Sequence, residues 1–146
     1  MPEPASTGDA APTRAQEAAR RAELAAAHER GESARAQRLI DEFIARVTPL
    51  NLPTEPLQAK LLSGPTVRTD QSGWYLRNDR SVAIGPNGEY YVLVVPGGWA
   101  ERFRGVRLKP SPPPLIVAKG GRDGESGDMA FYLDKLYARL CGGGPG

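Results

Sequence analysis

Cysteine, histidine and long apolar runs are what this chain has least of. Its 146 residues include one cysteine, Cys141, and one histidine, His28. A lone thiol cannot close a disulfide within the chain, so the fold must hold without one, and a reducing compartment suits it best. A lone histidine supplies no metal-binding pair. Cys141 lies in a glycine-rich tail (CGGGPG) where nothing holds a base beside it, so Cys–His nucleophilic catalysis finds no support. The longest purely apolar run, YYVLVV at residues 90–95, is far shorter than the roughly 20 residues needed to cross a bilayer. The opening MPEPASTGDAAP has neither the basic start nor the apolar stretch of a secretory signal. Strong charge of one sign is also missing: the formal net charge is +2, too small to give the whole chain an affinity for polyanions. The expectation is a soluble, cytoplasmic protein with no membrane contact.

Glycine and proline, by contrast, are abundant, at 17 and 14 residues, and they divide the chain. Residues 1–12 hold three prolines among small and polar residues and read as a disordered tail. Residues 13–48 read as a helical arm. Thr13 opens a stretch dominated by Ala, Glu and Arg, all strong helix formers, with Glu17 and Arg21 at the favourable i, i+4 spacing. Its one large apolar residue is Leu24, so this part buries little. Gly31 can end it as a left-handed cap, with Ser33 starting a second helix. Alternatively one helix runs through Gly31, because a glycine inside a helix costs only about 1 kcal/mol relative to Ala. Either way, Ala36, Leu39, Ile40, Phe43, Ile44 and Val47 recur at three- and four-residue steps and form an apolar stripe. Pro49 ends the helix.

Residues 49–140 read as a sheet domain, and 141–146 as a second disordered tail. PLNLPTEPL at 49–57 is a proline-rich linker. Strands are expected at 73–77, 81–85, 89–95, 106–109 and 115–119, with an earlier one possible at 59–62, because β-branched and aromatic residues cluster there between turn signals. Asn78-Asp79 and Gly85-Pro86-Asn87-Gly88 mark two hairpins and so a three-stranded antiparallel meander. The third strand is apolar at every position from Tyr90 to Val95, which places it centrally with both faces covered. The helix at 33–47 is expected on one face and a final helix, from about Asp128 to Leu140, on the other. In that last helix Met129, Leu133, Leu136 and Leu140 share a narrow arc, and Phe131 faces away. The fold class is therefore α+β: a helical hairpin or one long helix, then a mostly antiparallel sheet of four to six strands, then a packed C-terminal helix.

Three stretches carry candidate chemistry. VAKGGRDGESGD at 117–128 has the strand–glycine loop–helix layout of a phosphate cradle. However, Lys119 precedes the glycines, and Glu125 and Asp128 sit at the helix start, so the P-loop signature fails. Asp123, Glu125 and Asp128 lack the spacing of a calcium loop. No metal and no cofactor is assigned. RLKPSPPPL at 107–115 offers a polyproline segment but reads more simply as a stiff crossover between strands. GGWAERFRGVRLK at 97–109 interleaves bases with aromatics, the residue types that hold phosphates and stack on nucleobases. Its candidate binding residues are Trp99, Arg102, Phe103, Arg104, Arg107 and Lys109. Residues 65–121 carry eight basic and four acidic residues, a local excess of four positive charges that the rest of the chain does not share.

These features point first to a non-enzymatic protein-binding or adaptor module, whose partner is another protein or a second copy engaged through the N-terminal helices. Nucleic-acid binding through 97–109 is the alternative. An enzyme with a pocket between the sheet and the loop at 120–128 is a further one.

Overall fold

The computed structural model describes residues 11–97, 104–118 and 127–142. One continuous helix, α1 (Arg14–Val47), opens it, followed by a short 3-10 turn at Thr48–Leu50. The strands are β1 (Glu55–Leu61), β2 (Thr66–Tyr75), β3 (Val82–Ile84), β4 (Tyr90–Val92) and β5 (Val94–Val95). A separate two-stranded ladder of β6 (Ile116–Ala118) and β7 (Gly127–Asp128) leads into the final helix, α2 (Met129–Cys141). The class is α+β, as expected.

Of the two expected helical arrangements, the chain adopts the single long helix. The Thr13 hydroxyl accepts from the Gln16 amide at 3.1 Å, and the Gln16 side-chain oxygen accepts from the Thr13 amide at 2.8 Å. This reciprocal cap satisfies two donors that the helix start would otherwise leave unpaired. Glu17 and Arg21 then pair at 3.3 Å. Gly31 and Ser33 lie inside the helix and neither terminates nor caps it. The penalty of one glycine is smaller than the cost of breaking hydrogen bonds and nucleating a second helix.

The sheet order is β4-β3-β2-β1-β5. Its two outermost strands are consecutive pieces of the single extended stretch 90–95, so the order closes on itself through Leu93. The Leu93 amide donates to the Ser81 carbonyl at 2.8 Å, beside β3, and the Leu93 carbonyl accepts from the Lys60 amide at 2.6 Å, in β1. β4 runs antiparallel to β3, with Tyr90 opposite Ile84 and Val92 opposite Val82, whereas β5 runs parallel to β1, with Lys60 opposite Val94. The expected meander over β2, β3 and β4 is present, and its second turn has the expected form: the Gly88 amide donates to the Gly85 carbonyl at 3.0 Å, with Gly88 at φ +92°.

Closure creates two cores. Trp74, Leu76, Val82, Ile84 and Tyr90 point outward from the sheet and pack with Ala36, Ile40, Phe43 and Val47 of α1 and Met129, Tyr132, Leu133 and Leu136 of α2. Their neighbours Tyr75, Ala83 and Tyr91 point inward with Leu57, Leu93 and Leu108. This is the period-two alternation of pleated strands. Both helices therefore cover the same sheet face, and the closed sheet fills the other with its own side chains. That corrects the expectation of one helix on each face. The 90–95 stretch is also not buried throughout: Tyr90, Tyr91 and Leu93 are, while Val92 and Val94 are each 40% exposed.

Other boundaries differ as well. β2 begins at Thr66, in a stretch (TVRTDQS) with too few apolar residues to announce a strand. Residues 55–57 of the supposed linker belong to β1, where Pro56 sits at an irregularity in the ladder to β2 that tolerates its missing amide. At 106–109 only Val106 makes a bridge, parallel to Thr69. Asp128, which the sequence places at the start of the last helix, caps α2, its carboxylate accepting from the Phe131 amide at 2.9 Å.

Specific contacts lock the helices to the sheet and to each other. Phe43 meets Trp74 edge-to-face at 6.0 Å between ring centroids, and the Trp74 indole donates to the Pro53 carbonyl at 2.9 Å. The Gln37 amide donates to the Gly88 carbonyl at 2.9 Å. The Arg139 guanidinium donates to the Tyr75 carbonyl at 2.6 Å, and the Arg46 guanidinium lies 3.9 Å from the Tyr137 ring centroid.

Two outcomes follow from this packing. A Cβ at Gly31 would meet nothing within 4 Å, so Gly31→Ala should raise stability by up to about 1 kcal/mol in thermal or urea unfolding. Burial pushes the Tyr90 phenol up to about 12, against the opposing influence of Arg77. Its pKa is thus raised above the unfolded value of about 10. The associated stability is complete below about pH 10 and is lost as pH rises toward 12. Alkaline unfolding followed by circular dichroism should show this loss, and Tyr90→Phe should reduce it.

Candidate functional site

The basic residues singled out from the sequence fall partly outside the described structure: Trp99, Arg102 and Phe103 do, while Arg104, Arg107 and Lys109 are described. Arg104 and Arg107 come together at a cleft of about 1040 Å³, and Lys109 does not line it. The cleft runs between residues 95–97, where β5 ends, and residues 104–107, with Arg68, Thr69 and Asp70 of β2 as its third wall. Arg68 was not foreseen, because it belongs to the part of β2 that lacks strand signals. The arginine could have been found only by recognising that TVRTD alternates and pairs with QAK across a tight turn.

Backbone pairing builds this site. The Val106 amide donates to the Arg68 carbonyl at 2.9 Å, and the Asp70 amide donates to the Val106 carbonyl at 3.1 Å. The Asp70 carboxylate accepts from the Leu108 amide at 2.9 Å, fastening the following residue to the same strand. Gly105 adopts φ +85°, a conformation other residues rarely take. A Cβ there would lie 3.0 Å from the Arg68 carbonyl oxygen and 3.1 Å from its Cγ. Glycine at 105 thus lets the stem of Arg68 lie directly against the chain that carries Arg104 and Arg107. Val95 and Val106, which pack on the inner core, supply apolar lining. Among the described residues the lining charges are three arginines and one aspartate.

A second feature is the exposed length of α1. No side chain from residue 14 to 35 is buried, and only Ala26, Glu32 and Ser33 are half-buried. The base of this arm borders Pro112 and Pro113 across a cleft of about 580 Å³, so the proline-rich crossover faces the helix. No described helix is long and apolar enough to cross a membrane.

The other sequence candidates separate. Asp123 and Glu125 lie outside the described residues, as does most of the 120–128 loop expected to edge an enzyme pocket. Among the described residues no cluster of His, Cys, Asp and Glu has the makings of a metal site. His28 is exposed on the arm, 3.8 Å from Glu32, and Cys141 is an exposed free thiol. Arg77 and Asp79 pair at 3.1 Å in the first hairpin turn. Partial burial pushes the Asp79 carboxyl up, but Ser81 and Arg77 outweigh it and hold the carboxyl below its usual value.

The Asp70–Leu108 bond is testable. Leu108 is buried, so Asp70→Ala leaves its amide without that acceptor and should cost about 1–3 kcal/mol in urea unfolding, whereas Asp70→Asn, which keeps a carbonyl acceptor, should cost less. Against family models, curated proteins and solved structures, the chain finds no match.

Proposed function

We propose that this protein is a non-enzymatic protein-binding module that presents residues 14–35 of α1 as a preformed docking arm. One observation carries the reading: a continuous, capped helix whose first 22 residues bury no side chain. At 1.5 Å per residue this part extends about 33 Å. Alanine-rich propensity and anchoring of the C-terminal third of α1 hold the arm in helical form, so a partner would bear little ordering cost on binding.

The seam that enters the core as Ala36, Ile40, Phe43 and Val47 continues back at three- and four-residue steps through Ser33, Glu29, Ala26, Ala22 and Ala19. Small residues on such a seam let another helix approach closely. The occupant we favour is a second copy of the chain. The arm carries Arg14, Arg20, Arg21, Arg30 and Arg35 against Glu17, Glu23, Glu29 and Glu32, a near balance that lets like arms meet without net repulsion.

Sedimentation of the full chain and of a form lacking residues 1–30 tests this. The full chain should dimerise. The shortened form and Ala22→Glu should sediment as monomers with little change in melting temperature. A monomeric full chain that keeps its stability and its captured partners after truncation would show that the arm has no binding role. A monomeric full chain that loses a different protein partner on truncation would replace the second copy with that partner.

A further inference from the structure

The cleft between residues 95–97 and 104–107 points to a second binding site, and we propose that it holds the backbone of a single-stranded nucleic acid. This proposal is independent of the arm. Among the described residues, Arg68, Arg104 and Arg107 line one cleft against one acidic residue, Asp70, whose carboxylate already accepts from the Leu108 amide. Guanidinium is a planar, permanently charged fork that matches phosphate oxygens two at a time. The volume, about 1040 Å³, is at the upper end for ligand sites, and the mouth of a closed sheet is a common place for one.

Two features favour a nucleic acid over an acidic peptide. First, the lining joins basic groups to the apolar surfaces of Val95, Pro96 and Val106. A single strand combines an anionic backbone, which a positively charged groove can track, with apolar base faces, which can lie against these aliphatic surfaces. Second, an extended peptide docks chiefly through backbone hydrogen bonds to a sheet edge. Here residues 68–70 of β2 already pair with Gln58 of β1 on one side and with Val106 on the other. The φ of Gly105 and its close contact with Arg68 bring the two basic segments side by side, so that three exposed arginines converge on one cleft.

Fluorescence anisotropy with labelled oligothymidylate and oligouridylate tests the proposal on the full chain. Binding should be weak at physiological salt, with a dissociation constant of about 10⁻⁴ to 10⁻⁶ M, as for sequence-independent contacts. The slope of log affinity against log salt should be about −2, the value for three phosphate contacts on a single strand. Arg68→Ala, Arg104→Ala and Arg107→Ala should each flatten that slope by roughly 0.7, and the triple variant should remove binding. Gly105→Ala should weaken binding while all three arginines remain. Replacing Arg14, Arg20 and Arg21 of the arm with Gln should leave binding unchanged, which separates this site from the arm. Circular dichroism of each variant establishes that it is folded, and Arg68→Lys, which keeps the charge, should retain most of the salt dependence. The proposal is overturned by no binding at low salt, by affinity that ignores salt, by binding that follows the arm arginines, or by polyglutamate displacing the oligonucleotide at equal charge. That last outcome would assign the cleft to an acidic protein segment.

Discussion

The architecture turns on Leu93. Its amide bonds to the Ser81 carbonyl and its carbonyl to the Lys60 amide, while its side chain is completely buried in the inner core. One residue therefore joins the two ends of the strand order. Closure removes the exposed edges that β4 and β5 would otherwise present and that open sheets must protect by other means. It also encloses a small interior that Leu57, Tyr75, Ala83, Tyr91, Leu93 and Leu108 fill. With that interior occupied by the sheet itself, the outer face of β2, β3 and β4 is the one left for the helices. Both α1 and α2 pack there as a consequence. The same closure positions the end of β5 across from residues 104–107, and this opens the cleft on which Arg68, Arg104 and Arg107 converge.

The long helix expresses a balance of a different kind. Its C-terminal third is held by burial of Ala36, Ile40, Phe43 and Val47, each at most 2% exposed. Most of the rest is held by local terms: the Thr13–Gln16 cap, the Glu17–Arg21 pair and alanine-rich propensity. Local terms are individually worth tenths of a kcal/mol to about 1 kcal/mol, enough to extend a helix that the core has already nucleated. A solvent-exposed extension of this kind is ordered before any partner arrives. The arm and the cleft are thus two separate surfaces of different chemistry, one charge-balanced and rich in small residues, the other basic with an apolar lining.

Much of this was legible in the residues. The apolar stripe of residues 36–47, the start of the last helix near Asp128, the arc of Met129, Leu133 and Leu136, and the Gly85–Gly88 turn all appear where periodicity and turn chemistry put them, because each depends on neighbours a few positions away. The misreadings have one cause. β2 begins seven residues before its recognisable aromatic segment, since Thr66 to Ser72 lie against β1 and residue 106 and carry few apolar side chains. The all-apolar stretch 90–95 suggests a central strand covered on both faces, but it joins the two ends of the strand order, and its outward-facing Val92 and Val94 are each 40% exposed. Arg68 went unnoticed because its significance depends on Gly105, 37 residues further along the chain.

What the sequence determined by itself is the local grammar: an α+β chain, a helical start with a defined cap, three meander strands and a closing amphipathic helix. Those properties follow from spacing, propensity and turn residues, which act over a few positions. The tertiary structure alone decided that the helix passes through Gly31 unbroken, that both helices share one sheet face, that the strand order closes at Leu93, and that three arginines from two distant segments line one cleft. Each of these depends on which distant backbone groups pair, and that is a competition among long-range contacts whose entropic cost and reward are not written in any short stretch of residues.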